Sequence, residues 1–308
     1  DEGFSERARL TSIYAAFLQN AFDPDVGRFR NFMTYDRQWV ADIGSEESHG
    51  RALWALGTCV GRSRREELRS WAAELFEQAL PAVQSFTSPR AWAFAIIGLH
   101  EYLRTLGGDL RANQIRAELA QSLSSLYAEN AKEDWMWFEQ SVTYENARLP
   151  QALIMTGRWA NLPELRERGL QSLHWLAERQ IAPEGHFRPI GSKGFWKRGE
   201  QPAWFDQHPG EAHAMIGACV EAYEATGDRY WLVQANKAFD WFHGSNDLGI
   251  ALYDPQSGGC RDGLHIDRVN RNQGAQSTLA FLLALAEMRR TQEVTSVSAF
   301  QQQVSLAA

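Results

Sequence analysis

The chain has few cysteines and no long apolar run, and each absence argues against a class of protein. Only three cysteines occur among its 308 residues, Cys59, Cys219 and Cys260, and no CxxC spacing is present. Neither a disulfide framework nor a cysteine zinc site is indicated, and a reducing, cytoplasmic location is expected. No apolar run approaches the roughly 20 residues of a membrane-spanning helix, so no membrane span is predicted.

Charge and motifs argue against further functions. The net charge of −7 is spread along the chain without a basic stripe, so nucleic acid is not an expected partner. No GxGxxG, P-loop or GxSxG pattern is present, which argues against a phosphate loop and a serine-nucleophile elbow. The spacing of His208, Glu211 and His213 is too sparse for a metal site, so neither a metal nor another cofactor is expected. The N-terminal DEGFSERARL lacks a signal-peptide pattern, and the chain is expected to be part of a longer polypeptide.

What the sequence does contain is helical periodicity over most of its length. Apolar residues recur with the i, i+3, i+4, i+7 spacing of an amphipathic helix. The predicted helices cover about residues 5–22, 46–60, 63–83, 89–106, 109–129, 144–158, 161–180, 208–226, 228–246 and 273–292. Long loops in a compact domain usually carry function. Four such loops are predicted, at 23–45, 130–143, 181–207 and 247–272.

Two kinds of helix alternate in this pattern. Segments 64–80 and 162–178 carry charge on one face, whereas 91–103, 212–223 and 277–287 are apolar nearly all round. Half-exposed helices alternating with buried ones predict two concentric layers of helical hairpins. We therefore expect an all-α fold of the (α/α)6 toroid or barrel type, complete or incomplete, and an open α-solenoid is the alternative.

No domain boundary is visible in the sequence. We expect one toroid domain over 1–308, with the low-charge tail 294–308 at its periphery. Glycine after a buried helix and aspartate before the next predict tight turns, with Asp109 and Asp228 as helix caps. If the long loops lie at the opposite ends of the helices, polar residues from several hairpins meet at one rim.

The first polar cluster opens the second predicted helix. It contains Glu46, His49 and Arg51, which we predict to bind substrate. Carboxylates in a first turn are also stabilised by the helix dipole, and Ser45 can cap the same helix. Simple helix capping is therefore an alternative of about equal weight for this cluster.

The second cluster mixes carboxylates with aromatic rings. Carboxylates beside aromatic rings have a raised pKa when desolvated, which suits a general acid. Asp134 and Glu139 are therefore predicted to transfer protons. The predicted substrate-binding residues of this cluster are Trp135, Trp137, Tyr144 and Asn146. The alternative is an acidic loop packed against its own aromatic residues.

The third and fourth clusters precede the last two buried helices. Asp206 is the third predicted proton-transfer residue, and Trp204 beside it is predicted to stack on a sugar. The remaining predicted substrate-binding residues of these clusters are His208, Glu211, Asp262, Asn272 and Gln273. Asp206 and Asn272 are also candidate N-caps. Histidines at the predicted rim, among them His265, leave proton-transfer chemistry by imidazole open.

Four stretches of the chain resemble a known family. They are SEESHGRALWALG (45–57), DWMWFEQSVTYENARLPQALI (134–154), WFDQHPGEAHAMIGACVEAY (204–223) and LYDPQSGGCRDGLHIDRVNRNQGAQSTLAFLLAL (252–285). They resemble the six-hairpin carbohydrate enzymes, and more specifically the helical domain associated with bacterial family 4-type glycosyltransferases. The resemblance implies an α/α toroid, a glycan ligand and possible association with a glycosyltransferase.

The resemblance also has departures. The family's Asp-Gln-Gln-Pro-Ile-Glu-Ala has His208 and Gly210 in place of Gln and Ile here, and Gln276 stands where the family has Glu. Gln276 therefore cannot be an acid or base. The retained Asp-Gln-x-Pro-x-Glu-Ala pattern is also similar to one in unsaturated glucuronyl and rhamnogalacturonyl hydrolases, which implies Asp206 as the acid.

The expected function is that of a carbohydrate-active, glycoside hydrolase-like enzyme that uses carboxylates as acid and base. A non-catalytic glycan-binding domain and a sugar epimerase or isomerase are the alternatives. The expected partner is an oligosaccharide or another glycan, and a free monosaccharide is the test substrate for the epimerase or isomerase.

Overall fold

A computed structural model describes the backbone of residues 2–306 and the side chains of residues 6–292. Within this range the chain forms two compact units, divided between Leu123 and Ser124 inside the fifth helix. The prediction of a single domain stays a prediction, and the peripheral position expected for 294–308 concerns side chains outside the described residues. No described helix is long and apolar enough to cross a membrane.

The first unit contains four helices and most of a fifth. They are α1 (Glu2–Ala21), α2 (Glu46–Arg62), α3 (Glu66–Ala79), α4 (Pro89–Leu103) and α5 (Leu110–Asn130). Strand β1 (Phe22–Asp23) pairs antiparallel with β2 (Arg28–Phe29) after the first helix. Helices α2 and α4 pack so closely that a Cβ on Gly98 would lie 2.6 Å from the backbone oxygen of Leu53.

The second unit contains the rest of α5 and five further helices. They are α6 (Arg148–Trp159), α7 (Pro163–Arg179), α8 (Pro209–Thr226), α9 (Tyr230–Asp240) and α10 (Ala275–Leu306). Four short strands lie in the long loops, β3 (Ser141–Val142), β4 (Trp196–Lys197), β5 (Gly263–Leu264) and β6 (Val269–Asn270). Strand β3 pairs antiparallel with β4, and β5 pairs antiparallel with β6. The β5–β6 pair is a hairpin within one predicted loop, whereas β3 and β4 join two different predicted loops.

Helix ends follow the predicted turn chemistry. Gly227 ends α8 with φ +72°, the left-handed conformation that glycine adopts without strain. The Asp109 carboxylate accepts a hydrogen bond from Ala112 N at 3.0 Å, and the Asp228 carboxylate accepts one from Tyr230 N at 2.9 Å. The predicted cap Asp109 is therefore confirmed. The N-cap residue of α9 is Arg229, and Asp228 lies one position before it, so the predicted role of Asp228 as the cap is wrong.

Four predicted helices differ clearly from the observed ones at their ends, and the largest difference is in α10, which is predicted to end at 292 and continues to Leu306. Helix α3 ends at Ala79 and continues as a 3-10 helix over Leu80–Ser85, since Pro81 has no N–H to extend the α-helical pattern. Helix α6 begins at Arg148 rather than at 144, because Glu145 adopts φ +47°. Helix α9 ends at Asp240, and the 3-10 turn that follows stops at Gly244.

The predicted burial of the apolar helices is confirmed for α4 and α8 and is wrong for α10. Helices α4 and α8 bury nearly every residue. In α10, however, Leu279, Leu282 and Leu283 are 46 to 56% exposed. An apolar composition shows that a helix can be buried on all sides, but the elements that pack against the helix determine how many of its faces are covered.

Candidate active site

An aspartate–histidine pair lies in the second unit, before the first turn of α8. The Asp206 carboxylate (Oδ1) and the His265 ring (Nδ1) are 2.7 Å apart. The side chains of these residues are 38% and 29% exposed, so both are open to a ligand. A carboxylate bound to one imidazole nitrogen fixes the orientation of the ring, which is the arrangement of an acid–base pair.

Backbone pairing brings these two residues together. Gln207 and Leu264 form an antiparallel bridge, with N–H···O distances of 2.9 and 3.0 Å. Asp206 precedes Gln207 and His265 follows Leu264, so the antiparallel pairing places the two residues opposite each other. Gly263 permits this approach, because a Cβ there would lie 2.1 Å from the Gln207 backbone oxygen. Gly263 also has φ +142°, in the range that favours glycine.

The buried Gln207 side chain anchors the segment next to Asp206. Its amide nitrogen donates to the Trp204 backbone oxygen at 3.0 Å and to the Asp247 carboxylate. Its amide oxygen accepts from the indole nitrogen of Trp241 at 2.8 Å. Asp247 in turn accepts a hydrogen bond from Arg188 Nε at 2.6 Å. The hydrogen bonds of the Gln207 side chain therefore hold the backbone next to Asp206 in place.

The Asp206–His265 pair lies in a cavity of about 420 Å³, which we call the Asp206 cavity. Its polar lining includes Ser192, His208, Asp262, Asn270, Gln276 and Ser277. The Asp262 carboxylate accepts a hydrogen bond from Gly274 N at 2.8 Å, immediately before α10. Two carboxylates, those of Asp206 and Asp262, therefore line one cavity together with two imidazoles.

His208, and not Asp206, is the N-cap of α8. Its ring nitrogen Nδ1 accepts a hydrogen bond from Gly210 N at 3.2 Å. The predicted capping role of Asp206 is therefore wrong, and its carboxylate is bound by His265 instead. An Nδ1 that accepts a backbone N–H leaves the proton of a neutral imidazole on Nε2.

A layer of buried polar groups includes the first turn of α8. The Glu211 carboxylate accepts hydrogen bonds from Glu145 N and from Asn146 Nδ2, the latter at 2.8 Å. Burial, together with the neighbouring Glu145 carboxylate, raises the pKa of Glu211 to about 7. Arg148 Nε donates to Glu145 at 3.3 Å, and its Nη2 lies 2.9 Å from the His213 ring. Glu211 and Asn146, both predicted to bind substrate, are buried and held by protein groups.

Two of the predicted stacking tryptophans lie in an aromatic core. Trp135 is 3% exposed and Trp137 has no exposed surface. The ring of Trp135 is 5.1 Å from that of Trp175, and Trp175 stacks on Trp196 with an interplanar angle of 2°. Because protein rings cover them, neither Trp135 nor Trp137 presents a face to a sugar in this structure. Trp204 is half-buried, with the Arg188 guanidinium 5.4 Å from its ring.

The other predicted residues of the second cluster do not line the Asp206 cavity. The Asp134 carboxylate accepts a hydrogen bond from Arg198 at 2.8 Å, and its side chain is 76% exposed. Glu139 is half-buried, and its backbone oxygen accepts from the Trp135 indole. The Tyr144 ring is 42% exposed and lies 6.4 Å from that of Phe195.

The predicted residues of the first unit make contacts that stabilise the unit itself. The Glu46 carboxylate accepts from the backbone of Ser88 at 2.7 Å, before α4. His49 is fully buried, and the Arg51 guanidinium lies 4.1 Å from the centre of the Phe94 ring. These contacts agree with the capping and packing alternative for the first cluster.

The predicted residues that precede α10 are divided between the cavity and a neighbouring turn. Asp262 lines the Asp206 cavity. Gln273 instead donates to Asp254 at 3.0 Å and accepts from Ser257 Oγ at 2.7 Å. The Asn272 backbone oxygen accepts from Asp262 N at 2.8 Å, and Asn272 does not cap α10.

Sequence reasoning missed several residues of the cavity. The sequence predicts His265 only as one of several rim histidines and Gln207 only as part of the pattern around Asp206, and it does not point to Ser192. Gly263 is the one local sequence signal for this site. A glycine within a short strand often marks a place where another backbone approaches closely, and this glycine directly precedes Leu264 and His265. Within the part of the chain whose side chains are described, no group of three His, Cys, Asp or Glu residues is placed to hold a metal ion.

Comparison with known proteins shows the fold. No protein-family model matches the chain, and no curated protein matches it. A cellobiose 2-epimerase from Bacillus thermoamylovorans is a solved structure with 12% sequence identity and a TM-score of 0.65, covering 92% of this chain and 84% of its own. A sugar epimerase from a ruminal bacterium has 13% identity and a TM-score of 0.62, covering 91% of this chain and 83% of its own.

A third neighbour is a hydrolase of the same fold. An unsaturated glucuronyl hydrolase specific for heparin has 14% identity and a TM-score of 0.56, covering 74% of this chain and 64% of its own. The chain has the all-α, (α/α)6 toroid fold of these enzymes. The predicted fold class is confirmed.

Proposed function

We propose that the protein is a carbohydrate-active enzyme that cleaves a glycosidic bond in the Asp206 cavity. The observation that carries the proposal is the Asp206–His265 contact of 2.7 Å in a cavity that Asp262 also lines. Asp206 protonates the leaving oxygen, and His265 holds and orients its carboxyl group. Asp262 is the second carboxylate that glycoside chemistry requires: it either takes a proton from the water that attacks the sugar carbon, or attacks that carbon itself to form a glycosyl ester that water then hydrolyses.

Both the sequence and the structural neighbours support this proposal. Asp206 lies in the pattern that resembles unsaturated glucuronyl hydrolases, and one structural neighbour is named as such a hydrolase. The neighbours cited are named as enzymes of sugars, so a glycan is the substrate class that we propose. Asp134 and Glu139 are not retained as proton-transfer groups, since neither lines the Asp206 cavity.

A sugar epimerase is a second candidate, because the same contact also suits an imidazole base. If the Asp206 carboxylate orients His265, the imidazole removes a proton from a sugar carbon. Two of the cited neighbours are named as epimerases and cover more than nine-tenths of this chain. In ordinary water, epimerisation leaves the substrate mass unchanged. In deuterated water, it introduces one solvent deuterium at the reacting carbon.

One experiment separates these activities from glycan binding without turnover. The protein is incubated with an oligosaccharide panel in deuterated water, and the products are analysed by mass spectrometry. Cleavage fragments support the hydrolase, a gain of one deuterium in an intact sugar supports the epimerase, and unchanged sugars contradict both. Asp206→Asn is expected to lower the rate by about 10² or more, the usual contribution of a general acid. The exposed Asp25→Asn is the matched control and should keep the wild-type rate.

We also propose a partner and a location. The four stretches that resemble the glycosyltransferase-associated domain support a glycosyltransferase as a functional partner. Three unpaired cysteines, two of them buried, are consistent with a reducing, cytoplasmic compartment. Co-purification of this protein with a glycosyltransferase from its native host tests the partner.

A further inference from the structure

We propose that the substrate is an acidic oligosaccharide, with a neutral unit in the Asp206 cavity and a carboxylate-bearing unit held next to it by Arg271 and Arg268. The inference rests on the proposed function, because it assigns the two sugar units on either side of the reacting bond. It is carried by the opposite charges of two adjoining cavities.

The second cavity shares part of its wall with the Asp206 cavity. It has a volume of about 530 Å³ and is lined by Ile250, Val269 and the turn that joins β5 to β6. His265 and Asn270 line both cavities. A chain of two sugar units can therefore pass His265, with one unit on each side.

The charges of the Asp206 cavity disfavour an anion. Its lining carries the carboxylates of Asp206 and Asp262 and the imidazoles of His208 and His265, and it contains no Lys or Arg. A carboxylate placed there would lie beside two groups of the same charge and would lose its hydration. Hydroxyl groups, in contrast, can donate to these carboxylates, so an uncharged sugar unit suits this cavity.

The charges of the second cavity favour an anion. Two arginines, Arg268 and Arg271, line it, and its one carboxylate belongs to Asp267. Arg268 donates to Asp267 at 2.8 Å, and no ion pair of Arg271 is found among the described residues. A guanidinium group can bind a carboxylate through two parallel hydrogen bonds. Arg271 is therefore the main anion-binding residue, and Arg268 adds to the positive potential.

The test uses two disaccharides that differ only in one charged group: cellobiouronate, which carries a carboxylate on its non-reducing unit alone, and neutral cellobiose. Their affinities are measured by isothermal titration calorimetry at pH 7, in low and high salt, with wild-type protein and Asp206→Asn. We expect cellobiouronate to bind more tightly than cellobiose. Added salt should weaken cellobiouronate binding, because exposed charges are screened, and should leave cellobiose unaffected.

The variant Arg271→Gln should weaken cellobiouronate binding by about fivefold, the size of one exposed charge interaction, and leave cellobiose binding unchanged. Arg289→Gln is the control, because Arg289 is an exposed arginine of the same unit that lines neither cavity. Equal affinity for the two sugars, no binding of cellobiouronate, or an unchanged affinity of the Arg271→Gln variant would overturn the inference.

The same experiment distinguishes this inference from the proposed function. Selective binding of cellobiouronate without turnover of any glycan would contradict the function and support the anion site. Turnover that Asp206→Asn abolishes, with no preference for acidic sugars, would support the function and contradict the anion site.

Discussion

His49 shows that a histidine, a residue type common in active sites, can serve the stability of the fold instead. It has no exposed surface, and its Nδ1 accepts from Phe29 N at 3.3 Å. Its Nε2 lies 3.0 Å from the backbone oxygen of Ala79, which it satisfies as a donor. The ring is therefore held in its neutral form. Burial, opposed by the Ala79 contact and aided by the Arg28 charge, lowers the pKa of His49 to about 4.

This neutral histidine makes stability depend on pH. Between the unfolded pKa of about 6.5 and the folded pKa of about 4, the unfolded chain binds a proton that the folded chain does not. The free energy of unfolding is therefore expected to fall as pH falls through this window. We expect the titration of His49 to lower the free energy of unfolding by about 2 kcal/mol from pH 7.5 to pH 5, and urea unfolding at each pH measures this change.

The variant His49→Gln removes this titration. It should be less stable than the wild type at pH 7.5, and the stability difference between the two should shrink by about 2 kcal/mol at pH 5. His174→Gln is the control, since the His174 side chain is 52% exposed and pairs with Glu178. A stability difference that stays constant with pH for His49→Gln would contradict the neutral assignment.

At the scale of the elements, close packing of α2 on α4 depends on glycines. A Cβ on Gly57 would lie 2.1 Å from the Gly98 backbone oxygen, and a Cβ on Gly98 would lie 2.7 to 2.8 Å from backbone atoms of Leu53 and Trp54. Backbone atoms within a helix cannot move aside as a side chain can. A methyl group at either position would therefore force the two helices apart.

Gly98→Ala is expected to lower the free energy of unfolding by about 1–3 kcal/mol, the usual cost of overpacking a core. Gly108→Ala is the matched control, because a Cβ at Gly108 meets no atom within 4 Å. That variant should lie within about 0.5 kcal/mol of the wild type. Thermal and urea unfolding measure both, and an unaffected Gly98→Ala would show that the helices can separate at little cost.

At the scale of the whole molecule, the arrangement of the loops selects which acidic residues share a site. Asp134 and Asp206 both lie beside tryptophans and both are predicted from the sequence to transfer protons. Asp206 lines a cavity with His265 and Asp262, whereas Asp134 is exposed and bound to Arg198. Only the tertiary structure separates the two.

We therefore expect Asp134→Asn to keep the wild-type turnover within about twofold, in contrast to the loss of about 10² or more for Asp206→Asn. The initial rates of the three proteins are compared on the glycan that the panel identifies. Their melting temperatures provide the folding control. A large loss of rate in Asp134→Asn without unfolding would show that Asp134 takes part in catalysis.

Much of the fold could be predicted from local sequence. Helices α4 and α8, the glycine end of α8 and the Asp109 cap depend on residues within a few positions of each other, so periodicity and capping rules identify them. The exposed face of α10 could not be predicted, since exposure depends on which other elements cover the helix. The burial of Trp137 also depends on distant neighbours, here the ring of Trp175.

Local sequence is sufficient to predict an all-α chain of helical hairpins, the ends of several helices and the loops in which polar residues concentrate. Each of these follows from spacing and backbone preference over short distances. The contact of Asp206 with His265, the burial of Glu211 and Asn146, and the position of Arg271 in a cavity next to the pair depend instead on how distant segments pack. These contacts join residues up to 66 positions apart, and no local rule fixes which loops lie together.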